Sequence, residues 1–121
     1  MNLMEIMQQK AFAVVGDTLR EEKYAYKIKT ALLDHGYTVY GVGKELGSLN
    51  DIKHEIDIID LCINPVRGLE LMKECEKNYK CVVIQPGAES KELLDYFSEN
   101  DIPYLEGCLL VGLKLYGNES I

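Results

Sequence analysis

No apolar run in this 121-residue chain approaches the roughly 20 residues that span a bilayer, so no segment reads as a transmembrane helix. Basic residues are also scarce, with 13 Lys and Arg against 20 Asp and Glu and a formal charge of -7. The long-range field therefore repels nucleic acid and anionic membrane surfaces, and neither is expected as a partner. The same field opposes a phosphorylated ligand, which would have to be held by local hydrogen-bond donors. The four cysteines, Cys62, Cys75, Cys81 and Cys108, form no CxxC pair and no metal-ligand spacing with His35 or His54. They read as buried reduced thiols of a cytoplasmic protein, and no metal site is expected. The opening "MNLMEIMQQK" contains an acid and no long apolar core, unlike a secretory signal. HExxH, GxSxG and Walker loops are missing, and no catalytic constellation assembles.

What is present is an alternation of apolar runs and amphipathic segments. Leu3, Ile6 and Met7 predict a short N-terminal helix. "AFAVVG" is continuous and ends in glycine, the pattern of a strand buried on both faces. Tyr24, Ile28, Ala31, Leu32 and His35 then fall at helical spacing, with Gly36 placed for a left-handed cap. "YTVYGV" predicts a second strand. The polar stretch "GKELGSLNDIKHE" predicts a loop with one helical turn near Leu49 to Ile52.

"IDIIDLCI" reads as a third strand closed by Asn64 and Pro65, and Leu69, Met72 and Cys75 mark the inward side of the next helix. "CVVIQ" is a fourth strand, and Ser90 is placed to cap a helix whose stripe is Leu93, Leu94 and Phe97. "IPYL" predicts a short strand at a sheet edge, because Pro103 has no N–H to donate. The tail "GCLLVGLKLYG" leans to a short helix or turn. The expectation is an α/β, doubly wound, open and mainly parallel sheet of about five strands with helices on both faces, forming a single domain over residues 1–121.

In such a sheet ligands bind beyond the carboxyl ends of the strands. The first of these ends fails the GxGxxG dinucleotide fingerprint, since Gly16 stands alone until Gly36. A single glycine still permits a close turn, and the next helix start can still bind an anion. The paired acids Asp57 and Asp60, or Glu21 and Glu22, are read as solvated faces or helix-terminus acids.

"VVGDTLREEKYAYKI", "GYTVYGVG", "IDIIDLCINP", "VVIQPGAES" and "IPYLEGCLLV" occur in an order and spacing that resembles the small bacterial and archaeal CoA-binding proteins. Those proteins in turn resemble the N-terminal CoA-binding domain of the succinyl-CoA synthetase α subunit, a Rossmann-like unit. The resemblance spans Lys10 to Tyr116 and implies that the first loop holds CoA phosphates through its backbone, at Gly16, Asp17, Thr18, Arg20, Lys23 and Tyr24. Asp17 departs from the small neutral residue usual in the family. Val42, Gly43 and Lys44 match a trimmed adenosine-side wall, lacking the family's Asn-Pro and its inserted short strand. Asn64 and Pro65 match the loop lining the cleft, while equally serving as an ordinary turn. Gln85, Pro86 and Gly87 match a strand-end signature, and Glu89 and Cys108 match recurring positions.

The resemblance implies noncatalytic binding of CoA or a related adenine nucleotide, as a sensor or accessory subunit. Two other readings stay open: an interaction module that has lost its ligand, and a small acyl or thioester enzyme using Cys108. A thiol without an activating base or cation is usually inert, so Cys108 is read first as structural. A protein partner and a homodimer are both open.

Overall fold

A computed structural model describes residues 1–117. The apolar runs become five strands: β1 (Ala11–Gly16), β2 (Thr38–Gly43), β3 (Ile58–Leu61), β4 (Cys81–Ile84) and β5 (Tyr104–Glu106). They form one sheet in the order β2-β1-β3-β4-β5, and every neighbouring pair is parallel. The polar and amphipathic segments supply helices α1 (Leu3–Met7), α2 (Tyr24–Asp34), α3 (Pro65–Glu74), α4 (Lys91–Glu99) and α5 (Leu109–Tyr116), with one 3-10 turn at Leu49–Asp51. The fold is the expected α/β, Rossmann-like open sheet.

Strands buried on both faces need two cores, and two are present. On one face Ala13, Val15, Ile59, Leu61, Val82 and Ile84 pack against Leu71 and Met72 of α3 and Leu93 and Phe97 of α4. On the other, Phe12, Val14, Ile58 and Val83 meet Ile6 and Met7 of α1, Ala25, Ile28 and Leu32 of α2, and Leu109 and Leu113 of α5. Successive strand residues point to opposite faces, which is why β1 divides its four buried apolar side chains, Phe12 to Val15, between the two cores.

The helix boundaries follow local chemistry. Ser90 caps α4 by accepting from the Leu93 N–H at 3.1 Å. Asn64 caps α3 by accepting from the Arg67 N–H at 2.9 Å, with Pro65 at the first helical position. Each such cap stabilises its helix by about 1 kcal/mol. Gly36 takes the left-handed conformation expected after α2, and β5 lies at the sheet edge with Pro103 just before it. The tail forms α5.

Three expectations are corrected. Tyr24 is not part of the inward stripe of α2: it is 62% exposed at the start of the helix, and Ala25 meets β1 in its place. Leu69 and Cys75 are only half-buried where they pack against the core, and Gly68 and Leu71 join the expected Met72 as the buried residues of α3. Asp57 and Asp60 do not form a solvated face. Asp57 leads into β3 and accepts from the N–H groups of Lys10 at 3.1 Å and Ala11 at 3.0 Å, while Asp60 is fully buried in the central strand.

Candidate functional site

The strand order reverses between β1 and β3, so the crevice that this topology creates lies beyond the ends of those two strands. Gly16 closes β1 with φ +154°. A Cβ added there would stand 2.4 Å from the Cys62 carbonyl oxygen and 2.9 Å from the Ala25 Cβ. The missing side chain thus lets the end of β3 and the first turn of α2 converge on the end of β1. Gly43 closes β2 in close contact too, since a Cβ on it would lie 2.9 Å from the Gly16 carbonyl oxygen.

The loop from Asp17 to Lys23 joins β1 to α2. Asp17 Oδ1 accepts from the N–H groups of Leu19 at 3.1 Å and Arg20 at 3.2 Å, so its carboxylate braces the loop from within. Desolvation works against this charge, but those two N–H groups and the positive charges of Lys44 and Arg20 hold the carboxyl below its ordinary value. Lys44 follows directly on the end of β2. Arg20 pairs with Glu22 at 3.0 Å in an exposed ion pair. Lys23 is the N-cap of α2 and supplies no side-chain cap.

Thr18 is 2% exposed, and its hydroxyl donates to Glu45 Oε2, which also receives Lys29 Nζ at 2.6 Å. The Thr18 hydroxyl is therefore committed to a carboxylate. Val42 is fully buried in the core, so its side chain faces no ligand. Gly43, Lys44 and Glu45 form a tight reverse loop closed by Gly43 N–H to Leu46 carbonyl at 2.6 Å.

On the other side of the crevice, Tyr24, Cys62, Gln85, Pro86 and Cys108 line a cavity of about 220 Å³. An adjoining hollow of about 270 Å³ is lined by Cys62, Ile63, Asn64, Gln85, Pro86, Gly87 and Ala88. The predicted residues Tyr24, Asn64, Gln85 and Gly87 are thus brought together here. Gln85 is also structural, accepting from the Leu109 N–H at 2.9 Å and so tying the end of β4 to the start of α5. The Gly87 N–H donates to Glu89 at 2.8 Å. A larger depression of about 580 Å³, which includes Asp57 and Lys80, opens at the amino ends of β3 and β4, away from the reversal point.

Cys62 was not foreseen in this role. Burial, then the charges of Asp60 and Cys108, push its thiol up to about 12. Cys81 alone of the four thiols is fully buried; Cys62, Cys75 and Cys108 are half-buried, and all four are free. His35 sits at the far end of α2, its Nδ1 paired with the Ala31 carbonyl at 2.8 Å, and His54 stacks on Tyr40. Among the described residues no three His, Cys, Asp or Glu side chains cluster to hold a metal, and no helix is long and apolar enough to cross a membrane.

Residues 10–114 match the family described as CoA binding domain. This chain belongs to that family. No curated protein matches it. Among solved structures, a conserved hypothetical protein from Pyrococcus furiosus is similar at 28% identity and TM-score 0.77, covering 85% of this chain and 98% of that one. A hypothetical protein from Pyrococcus horikoshii OT3 is similar at 25% identity and TM-score 0.85, over 94% of this chain and 89% of that one. A Thermus thermophilus protein at 24% identity shares the fold, with TM-score 0.77, over 96% of this chain and 99% of that one.

Proposed function

We propose that this CoA-binding family member binds CoA or a related adenine nucleotide without catalysing a reaction on it, in a sensing or accessory role. The observation that carries this reading is the convergence at Gly16, which sets the uncapped first turn of α2 directly over the crevice between β1 and β3. The N–H groups of a first helical turn have no partners within the helix and attract phosphate. Gly16 to Thr18 contribute backbone, Arg20, Lys23 and Lys44 contribute charge, and the adenosine end lies between the loops after Val42 and Ile63. The family match over most of the chain supports treating it as one ligand-binding domain.

A thioester or acyl enzyme using Cys108 is the second reading, favoured by the position of Cys108 at the N-cap of α5 beside the 220 Å³ cavity. Against it stands the distance in the fold of both histidines from that cavity, which leaves the thiol without an imidazole base.

Thermal-shift titration with CoA, acetyl-CoA, NAD and AMP tests the leading reading. Stabilisation that grows with the logarithm of CoA concentration supports it. No shift with any of the four refutes it and favours a module that has lost its ligand. Turnover of acetyl-CoA abolished by Cys108→Ser would favour the enzyme.

A further inference from the structure

Of the loop residues Asp17 to Lys23, Thr18 alone is buried. Its hydroxyl donates to Glu45 Oε2, and Lys29 Nζ, from the second turn of α2, reaches the same oxygen at 2.6 Å. One carboxylate therefore ties the loop after β1 to α2 and to the turn that follows β2. That turn is itself clipped shut, since the Gly43 N–H donates to the Leu46 carbonyl at 2.6 Å and the Leu46 N–H to the Gly41 carbonyl at 3.2 Å. Gly41 makes room for the arrangement: a Cβ there would overlap Glu45 Oε2 and stand 2.5 Å from Thr18 Oγ1. Desolvation opposes the charge on Glu45, but the bonds from Lys29 and Thr18 hold its carboxyl below the ordinary value. The tie is thus in place at neutral pH.

We infer that Glu45 is a positioning residue for ligand binding, holding Gly16 to Thr18 in the conformation whose backbone receives phosphate without itself touching the ligand. This rests on the nucleotide-binding reading above and adds the group that sets the loop. An external hold is needed because glycine has wide backbone freedom, so the chain beyond Gly16 swings unless something fixes it. The bonds from Asp17 to the Leu19 and Arg20 N–H groups, and the ion pair of Arg20 with Glu22, stay inside the loop and would travel with it. The Thr18 bond instead joins the loop to a group 27 residues away. A loop already fixed in its binding conformation gives up less freedom when the ligand arrives, and so binds it more tightly. Charge and position predict opposite signs here. Removing the carboxylate frees Lys29 beside the loop, which by charge alone would strengthen binding of an anion.

Calorimetric titration of the full chain with CoA, at one ionic strength, tests this. Glu45→Ala removes the tie and should weaken CoA binding about tenfold, equivalent to about 1.4 kcal/mol. Glu45→Gln keeps an oxygen for Thr18 and Lys29 and should hold the affinity within about threefold of wild type. Thr18→Val keeps the shape and every charge, and should weaken binding as much as Glu45→Ala; joining the two changes should add nothing further. Equal or tighter binding by folded Glu45→Ala overturns the positioning role while leaving nucleotide binding intact. A Gln variant as weak as the Ala variant, or additive losses in the double variant, overturns it too. Where Glu45→Ala fails to fold, Thr18→Val decides, and an affinity equal to wild type overturns the inference. Wild-type protein that does not bind CoA overturns nucleotide binding itself and this inference with it.

Discussion

Asp60 should make this protein less stable as pH rises, and Asp60→Asn should remove that dependence. The side chain stands in the central strand between Val14 of β1 and Val83 of β4, on the face covered by α1, α2 and α5. It is fully buried, and neither carboxyl oxygen has a hydrogen-bond partner among the described residues. Burial alone therefore drives its pKa well above the ordinary value, because nothing nearby stabilises the charged form. In the unfolded chain the same group ionises near pH 4.

Between those two values the folded state holds a proton that the unfolded state has released. The favourable contribution is complete below the unfolded pKa and is lost as pH rises through the folded one, at about 1.4 kcal/mol for each pH unit. Asn has nearly the same shape and no titration. The difference in unfolding free energy between Asp60→Asn and wild type, measured by urea denaturation from pH 4 to 8, should therefore grow in favour of the variant with that slope. Taking the difference cancels the carboxylates common to both, including Asp57, whose bonds from Ala11, Lys10 and Lys80 outweigh its desolvation and act in the opposite sense below pH 4. Asp60→Val also removes the unpaired polar atoms and should exceed the Asn variant by about 1–3 kcal/mol. A difference that stays flat across the range, with equal m-values, would refute the burial argument, since it requires Asp60 to ionise in the fold as it does in water.

Gly16→Ala forces a Cβ to within 2.4 Å of backbone at Cys62 and should cost at least about 2 kcal/mol of stability, read by denaturant melts; a neutral change would mean that the three elements do not converge as described. Asp17→Asn keeps an acceptor for the Leu19 and Arg20 N–H groups while removing the charge, so it should strengthen CoA binding in calorimetry with little change in melting temperature; weaker binding would place the carboxylate among the groups that help the ligand. Cys62, its thiol raised to about 12 by burial first, should resist iodoacetamide at pH 8 in the folded protein and react once the chain is unfolded, as followed by peptide mass spectrometry.

The strands were legible wherever burial on both faces removed the polar alternation, as in "AFAVVG" and "CVVIQ", and the caps at Asn64 and Ser90 were legible because one side chain and the N–H three residues on make a local bond. The resemblance carried the family. Asp60 was not legible, for a different reason from Asp57. Asp57 lies at the strand entrance, where an acid is easily satisfied, whereas nothing in "IDIIDL" distinguishes the acid that faces water from the one enclosed between two neighbouring strands. The stripe of α2 was read correctly at Ile28 and Leu32 and misread at its first position, because Tyr24 and Ala25 both suit an apolar pattern. Only the close contact at Gly16 decides that the smaller one points at the sheet.

The same division separates the parts of the site. Gly16, Asn64 and Gln85 stand at strand ends that local pattern could find; Asn64 and Gln85 line one hollow with Cys62, and Gly16 packs against the Cys62 carbonyl. Glu45 and Lys29 are joined across 16 residues and Glu45 and Thr18 across 27, contacts that no periodicity records. One signal for them was present, a glycine at position 41 within an otherwise β-branched and aromatic run. A strand that gives up a side chain there loses packing and conformational stability. That loss is compensated only if something occupies the space, and in a chain with 20 acids the occupant is a carboxylate held by a lysine from the facing helix. The missing side chain in β2 and the fixed acid beyond it are therefore one feature, and a glycine in mid-strand beside the loop after β1 is reason to ask which charged group the fold has seated there.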